Sequence, residues 1–345
     1  MSTSGTSLPN ARTADPGDAP PIKWGIIAPG WIAGQFANAV HRHSKSRVVA
    51  VGSSSADRAQ EFAARHGVGR AYGSYEALVA DHDIDAVYVA SPHSHHFEQA
   101  RLALLGGKPV LVEKAFTQNA SQASELIELA RTSGALLMEA MWSRFLPHYD
   151  IVRQLLADGA LGEVQTVISD HGQYFEIEPT HRLLNPALAG GALLDLGIYP
   201  ASFTSFVLGA PDEIQATGTM TTTGVDAQVS AVLRTGRAHG VISTTQTAAS
   251  PTTASISGTA GRIEIAGPFY QPQPVRFTDL TGNTRETAPA SVAGHEGLVY
   301  QAAHFAELLT AGSTESPLLP LGETLSIMQT LDEIRRQIGL AYPNE

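Results

Sequence analysis

From Ile22 to Glu139 six short β-branched runs alternate with longer segments whose apolar residues recur near a 3.6-residue period. A chain patterned this way has few folded solutions. Parallel strands need a crossover of a dozen or more residues, usually a helix, and the helices then cover both faces of the sheet. The runs are predicted as strands at 23–28, 47–52, 70–72, 86–90, 109–112 and 135–139, with helices at 32–40, 56–66, 74–80, 94–105 and 121–131. The fold class expected here is α/β, a doubly wound parallel sheet.

After Arg144 the pattern changes. A helix at 147–158 leads into an extended stretch at 164–175 and a Gly-rich helix at 190–208. Thr/Val/Ile segments then follow at 213–223, 228–234, 239–247, 253–258 and 262–266, separated by Gly and Pro, as in an antiparallel sheet. Helices at 297–311 and 322–338 close the chain. The second half is therefore expected to be α+β, with an open-faced, mainly antiparallel sheet. The expected domains are 22–145 and 146–345, the last helices being free to pack back on the first domain. Residues 1–21, rich in Ser, Thr, Ala, Pro, Gly and Asp and without an apolar run, read as a disordered tail that is neither signal peptide nor anchor.

A length of 345 residues suits two domains. The net charge of −11 lacks the basic excess on which nucleic-acid affinity rests, so no nucleic-acid partner is expected. With no cysteine, disulfides, thiol catalysis and thiolate metal sites are excluded. No run of about 18 apolar residues marks a membrane span, and the expected location is the cytoplasm.

Ala28, Pro29, Gly30, Trp31, Ile32 and Ala33 lie where the first strand meets the first helix, the place where backbone amides and a helix dipole can hold a pyrophosphate. Against G-x-G-x-x-G/A the stretch reads A-x-G-x-x-A, keeping Gly30, the glycine that lets the backbone approach the phosphates. An ordinary tight turn would read similarly. Pro29 removes one amide from the cradle and is expected to hold Ala28 extended. At the end of the second strand, where an NAD site places a carboxylate, stand Ser53, Ser54 and Ser55, with Arg58 just inside the next helix. Hydroxyls and a guanidinium suit a 2′-phosphate, which favours NADP, with NAD as the alternative. Ser54 or Ser55 also suits a helix N-cap.

The fourth strand ends in Ser91, Pro92, His93, Ser94, His95 and His96, at the edge where doubly wound sheets bind ligands. A His-based metal hydrolase or lyase using His93, His95 and Glu113 is one reading; a polar loop opening a helix is another, and no metal is assigned. The fifth strand ends in Glu113 and Lys114. Burial lowers a lysine's proton affinity, and its charge near a cofactor can orient a ribose and favour an alkoxide; the two side chains could equally pair at the rim. Asp195 and Tyr199 are four apart in the Gly-rich helix and fall on one face. A carboxylate beside a phenol suits proton transfer, although ionising a tyrosine at pH 7 requires a shift of ~3 units, about 4 kcal/mol. Packing in a core is the alternative.

Taken together, 28–33, the Ser91–His96 run, Glu113-Lys114-Ala115, the stretch Glu139 to Phe145 and the stretch Gly190 to Pro200 resemble the Gfo/Idh/MocA oxidoreductase family over Ile22 to about Gly339. The Asp195-Leu-Gly-Ile-Tyr199 form is most similar to the branch holding dimeric dihydrodiol dehydrogenase, NADP-linked xylose dehydrogenase and glucose-fructose oxidoreductase. The resemblance implies a Rossmann domain at 22–145 and a substrate-binding and oligomerisation domain at 146–345, giving a homodimer or homotetramer through the C-terminal sheet. Ala28, Pro29, Gly30, Trp31, Ile32, Ser53, Ser54, Arg58, Ser91, Pro92, His93, His96, Glu113 and Lys114 would then meet the cofactor, with Trp142 and Arg144 bordering it. Lys114 and Tyr199 become the acid–base pair, and Asp195 holds the substrate. Ala115 replaces the family's usual Pro, Ala28-Pro29 its usual Gly-x, and Ser54 stands where the NADP-linked branch often has Arg.

The reaction expected is hydride transfer between a CH–OH of a sugar or cyclic polyol and a nicotinamide. His181, Arg182 and Asn185 are placed toward the substrate by position; His171, Gln173, His239, Gln246 and Tyr300 are further polar candidates. A sugar–sugar transhydrogenase with tightly bound NADP and a non-catalytic nicotinamide or sugar sensor are the other readings.

Overall fold

In a computed structural model, which describes residues 7–178, 180–343 and 345, the alternating region forms six strands: β1 (Lys23–Ile27), β2 (Arg47–Gly52), β3 (Arg70–Tyr72), β4 (Ala86–Val89), β5 (Val110–Glu113) and β6 (Leu137–Ala140). All pair in parallel, in the order β3-β2-β1-β4-β5-β6. The intervening helices are α1 (Trp31–His43), α2 (Ala56–His66), α3 (Tyr75–Val79), α4 (His93–Leu105) and α5 (Ala120–Ser133). Strands β4 and β5 are buried at every residue, which is why they read as continuous apolar runs. Between β1 and β4 the strand order reverses, and the carboxyl ends of these two strands mark the switch point at which such sheets take ligands.

The later region begins with α6 (Pro147–Ala157) and β7 (Val164–Gly172), followed by α7 (Ile198–Leu208) and β8 (Glu213–Met220). Then come β9 (Asp226–Thr235), β10 (Ala238–Thr245), β11 (Ala254–Gly258), β12 (Gly261–Ile265), β13 (Val275–Asp279) and β14 (Thr284–Glu286), before α8 (Leu298–Thr310) and α9 (Leu321–Ile338). These strands form one sheet ordered β14-β13-β12-β11-β7-β10-β9-β8. It is antiparallel except where β7 and β10 run parallel. Buried and exposed residues alternate along β9 and β10, so one face is packed and the other open.

The chain divides into two compact units. One holds residues 14–144 and 294–328; the other holds the chain up to 13, residues 145–293 and the chain from 329 onward. Residues 294–328, with α8 and the start of α9, thus belong with the parallel sheet. The stretch Pro186–Leu208 is long and apolar enough to cross a membrane by length and composition, and 78% of its window is buried.

Three expectations are corrected. Residues 7–21 are not a featureless tail: Arg12 grips Asp150 through its backbone amide at 2.7 Å and its guanidinium at 2.8 Å, and Pro16–Asp18 form a 3-10 turn capped by Asp15. The helix expected over 190–208 starts as a π-helical turn, Leu193–Gly197, before α7. Ala28 is not extended but left-handed, with φ 71°. Its amide donates to the Gly52 carbonyl at 3.0 Å, and its own carbonyl accepts from Gly30 at 2.9 Å, so the chain turns back within two residues of the sheet. Proline at 29 disfavours the right-handed region at 28, and this tight reversal takes the left-handed one.

An alanine at positive φ costs roughly 1–2 kcal/mol, which glycine relieves at an entropic cost of about 0.5–1 kcal/mol. Ala28→Gly is therefore expected to stabilise the protein by about 0.5–1 kcal/mol in urea unfolding; a lower midpoint would refute the strain.

Candidate active site

In the nucleotide unit, α2, α3 and α5 have side-chain N-caps, Ser55, Ser74 and Asn119. The helices at the switch point differ: α1 follows Gly30 and α4 follows Pro92, and neither has a side-chain cap. A helix start without a side-chain cap suits an anion, although in α4 the His95 amide donates to the Pro92 carbonyl at 2.9 Å. Gly30 itself has an ordinary negative φ of −91°, and a Cβ built there would meet only the Ala90 carbonyl, at 3.7 Å. The fold itself therefore leaves room for a side chain at 30. The Ser91 hydroxyl, at the end of β4, is buried with no hydrogen-bond partner among the described residues. These features fit a dinucleotide.

At the end of β2, Ser53 is fully buried and its hydroxyl accepts from the Ser55 amide at 3.2 Å. Ser55, of the two serines considered, is the N-cap, accepting from the Arg58 amide at 3.4 Å. The Arg58 guanidinium donates to Ser54 Oγ at 3.0 Å, so an exposed cation and a hydroxyl stand together where a ribose-binding carboxylate would otherwise be.

His96 is buried between two carbonyls, Ala115 O at 2.9 Å and Ser91 O at 2.8 Å, thereby joining the ends of β4 and β5. Burial outweighs those contacts and pushes its pKa down to about 4; in the neutral ring one nitrogen donates to one of the two carbonyls. His93 stands beside it, with ring centroids 5.6 Å apart. No cluster of three or more metal-ligating side chains occurs among the described residues. Glu113 is buried, accepting from the Tyr88 hydroxyl and, at 3.2 Å, from the Lys114 amide. The Lys114–Ala115 peptide bond is cis.

Behind this turn lies Glu139, at the end of β6. Its carboxyl accepts from Thr324 Oγ1 at 3.0 Å and from the Phe116 amide. Burial, with the charge of Glu113 adding a little, pushes its pKa from 4.5 up to about 7, against the pull of Thr324, Arg144 and Phe116. Arg144 is buried too, its guanidinium 2.8 Å from Glu323 and 3.4 Å from the Leu318 carbonyl. A group whose pKa is raised on folding contributes stability that is complete below its unfolded pKa and lost as pH rises through the folded one. Between pH 4.5 and 7 wild type is expected to lose about 3 kcal/mol that Glu139→Gln does not lose, read as the difference in slope of unfolding free energy against pH. Parallel slopes would remove the argument.

The other unit gathers a second set. The π-helical turn places Asp195 just before α7 and Tyr199 within its first turn. Such turns are rare and occur frequently at functional sites. The Tyr199 ring stacks on Tyr270, centroids 4.4 Å apart at 29°, and both rings lie against His171, at 5.3 and 4.6 Å. Gln173 Nε2 reaches His171 Nε2 at 3.0 Å and the Tyr270 hydroxyl at 3.2 Å. Tyr270 is raised above the usual phenol range by burial first, with the charge of Asp195 adding to the rise. Arg182 donates to Asp195 Oδ1 at 3.2 Å.

The remaining candidates separate. His181 accepts from the Leu183 amide at 3.3 Å and Asn185 from the Ala187 amide at 3.0 Å, each capping a 3-10 turn. His239 is exposed on β10, Gln246 donates to the Asp226 carbonyl at 3.1 Å, and Tyr300 is buried in α8 of the nucleotide unit. Sequence reasoning missed Tyr270, which lies in a Gly/Pro-rich loop, and Asp226, which has no neighbouring motif. Asp226 is fully buried and holds the Leu193 amide at 2.6 Å; burial, opposed by amides including Leu193 and Ala192, lifts its pKa to about 6.

An open parallel sheet with a ligand-ready switch point, together with a unit carrying a buried Tyr/Asp/His cluster, defines the class as two-domain, dinucleotide-dependent enzymes. Residues 22–141 match the model of an oxidoreductase family with an NAD-binding Rossmann fold, and residues 149–264 match the GFO/IDH/MocA C-terminal domain. The chain belongs to the Gfo/Idh/MocA family and is an NAD(P)-binding oxidoreductase.

Among its relatives, trans-1,2-dihydrobenzene-1,2-diol dehydrogenase of Bos taurus is 36% identical over 338 residues, covering 94% of this chain and 99% of that protein. The Homo sapiens enzyme of that name is 36% identical over 337 residues, with the same coverages. Among solved structures, KijD10, a 3-ketoreductase from Actinomadura kijaniata in complex with NADP and TDP-benzene, superposes with a TM-score of 0.81 at 28% identity, covering 92% of this chain and 98% of that one. Aldose-aldose oxidoreductase from Caulobacter crescentus shares the fold, with a TM-score of 0.82 at 24% identity over 92% of this chain and 97% of that one.

Proposed function

We propose that the protein is an NADP-dependent dehydrogenase or reductase acting on a ring CH–OH of a sugar or cyclic polyol. The observation that carries this reading is the buried Tyr199, stacked among Tyr270 and His171 with Asp195 in the π-helical turn just before it, in a chain of a nicotinamide-dependent family. The relatives named for a trans-diol on a six-membered ring support the substrate class, because a pyranose presents vicinal hydroxyls in the same arrangement. The carboxylate-free end of β2, with Arg58 on Ser54, supports NADP over NAD.

When bound, the nicotinamide supplies the hydride acceptor or donor. In oxidation Tyr199 takes the hydroxyl proton, and in reduction it returns one. Lys114 supplies the positive charge that eases loss of that proton, and Asp195, oriented by Arg182, fixes the reacting oxygen. Each proton transfer of this kind contributes about 10²–10⁴-fold. His181 and Asn185 act by shaping the turn that carries Arg182.

The test is fluorescence titration with NADPH and NADH, followed by absorbance at 340 nm with aldoses and trans-cyclic diols. NADPH binding tighter than NADH, with turnover of a ring alcohol, is expected. Binding of neither nucleotide would overturn the reading.

The same proposal includes a homo-oligomer. Ile168, Val241 and Val232 are directly paired across β7, β10 and β9 and point to the open face, 52%, 37% and 38% exposed. An apolar row across the centre of an uncovered sheet suits a second copy of the chain. Val241→Glu is expected to shift the mass in sedimentation to that of the monomer; an unchanged mass would exclude this face.

A further inference from the structure

Tyr342 lies beyond the end of α9 and is buried, although the chain there belongs to no helix or strand. Its hydroxyl donates to the Gly190 carbonyl at 2.9 Å, across 152 positions of sequence. The segment that carries it is firmly mounted. Gln337, in the last turn of α9, donates to the Ile214 carbonyl at 2.7 Å and accepts from the Ala216 amide at 2.8 Å, which fastens the helix end to β8. The Arg335 guanidinium, buried as well, sits 5.0 Å over the Tyr342 ring and pairs with Asp332 at 2.6 Å and Glu345 at 2.8 Å. Glu345 in turn accepts from the Tyr342 amide at 3.1 Å. The phenol is thereby aimed at one peptide group.

The residues on either side of that group carry Arg182 and Asp195. On one side, the amides of Gly190 and Gly191 donate to the carbonyls of Asn185 at 3.1 Å and Leu183 at 2.9 Å, and a Cβ built at Gly190 would lie 2.6 Å from the Arg182 carbonyl oxygen. The backbone of the Arg182 turn is thus pressed against Gly190 as only a residue without a side chain permits. On the other side, the Leu193 amide, held by Asp226 at 2.6 Å, opens the π-helical turn that contains Asp195. Arg182 and Asp195 meet at 3.2 Å, yet the Arg182 side chain is 45% exposed. An ion pair so open to water gains little by itself. The spacing of the two groups is therefore set by the backbones that carry them, and those backbones converge on Gly190 and Gly191.

We propose that Tyr342 is a positioning residue for the substrate: by holding the Gly190–Gly191 turn it keeps Arg182 and Asp195 at the spacing that receives the ring alcohol. This rests on reading Arg182 and Asp195 as the pair that holds the substrate.

The test is a double-mutant cycle in steady-state kinetics with NADP and an aldose or trans-cyclohexane-1,2-diol, alongside titration with NADPH. Phenylalanine at 342 keeps the ring under Arg335 and removes only the hydroxyl, so the variant folds. Tyr342→Phe is expected to lower kcat/KM about tenfold, mostly through KM, while NADPH affinity stays within about twofold. Arg182→Gln is expected to lower kcat/KM further. In the double variant the loss should match that of Arg182→Gln alone within about threefold, because the hydroxyl acts through a pair that Arg182→Gln has already broken. Losses that multiply, or an equal weakening of NADPH, would mean a general loosening of the fold and would overturn the proposal. So would an unchanged kcat/KM in Tyr342→Phe beside an impaired Arg182→Gln. No loss in Arg182→Gln would instead remove the substrate-holding pair on which the proposal stands.

Discussion

Tyr199→Phe is expected to lower kcat by about 10²–10⁴-fold, the usual contribution of a positioned acid or base, while NADPH affinity stays within a few-fold of wild type. The structure makes this substitution unusually clean. Tyr199 is buried, and its ring is held by stacking on Tyr270 and contact with His171. Phenylalanine keeps those contacts and removes only the hydroxyl. Thermal unfolding should therefore be nearly unchanged, so a loss of rate cannot be laid to a loss of fold. Lys114→Ala is expected to lower kcat as well, with the pH profile of kcat moved to higher pH because the charge that favours a deprotonated oxygen is gone. Wild-type turnover in Tyr199→Phe, measured by hydride transfer at 340 nm, would dismiss this residue as the acid or base.

The second large effect is on stability. Gly191 has φ +118°, a region L side chains rarely adopt, and a Cβ there would lie 2.0 Å from Asp226 Oδ1. The backbone strain costs roughly 1–3 kcal/mol and the steric overlap roughly another 1–3 kcal/mol. Asp226 cannot easily move aside, since it is fully buried and holds the Leu193 amide at 2.6 Å. The turn is also tied from the C-terminal segment, where the Tyr342 hydroxyl donates to the Gly190 carbonyl at 2.9 Å. Gly191→Ala should therefore destabilise the protein by about 3–5 kcal/mol, a range reached by few single substitutions. Because the π-helical turn with Asp195 begins at Leu193, whose amide Asp226 holds, any folded fraction should have impaired catalysis. Denaturant midpoints measure the first effect; an unchanged midpoint would mean that the Gly-rich turn relaxes without cost.

Tyr199 and Gly191 also differ in how far their surroundings can be read from the chain alone. The parallel sheet is legible there because its strands are buried on both faces and its helices are amphipathic, so burial is written locally in each element. Strands β13 and β14 are not: they lie at the sheet's end, β13 follows a Pro- and Gly-rich loop, and β14 has only three residues. The π-helical turn at 193–197 has the composition of an α-helix, and its extra width depends on what the amides of residues 192 and 193 meet, namely a carboxylate 33 residues away from Leu193.

The site divides the same way. Gly30, Lys114, Asp195 and Tyr199 announce themselves by their position at the ends of strands or on one helical face. Tyr270 does not, since its place among the rings comes from Tyr199 and His171, both distant in the chain. The nucleotide-binding sheet, the family and the choice of polar side chains are properties of the amino-acid order, because they follow from local periodicity and from short motifs at element ends. Three outcomes belong to the folded chain instead: Ala28 turns left-handed, Glu139 and Asp226 are buried carboxyls holding turns in place, and particular rings stack. These depend on desolvation and on contacts between residues far apart in the chain, quantities that no local window of sequence contains.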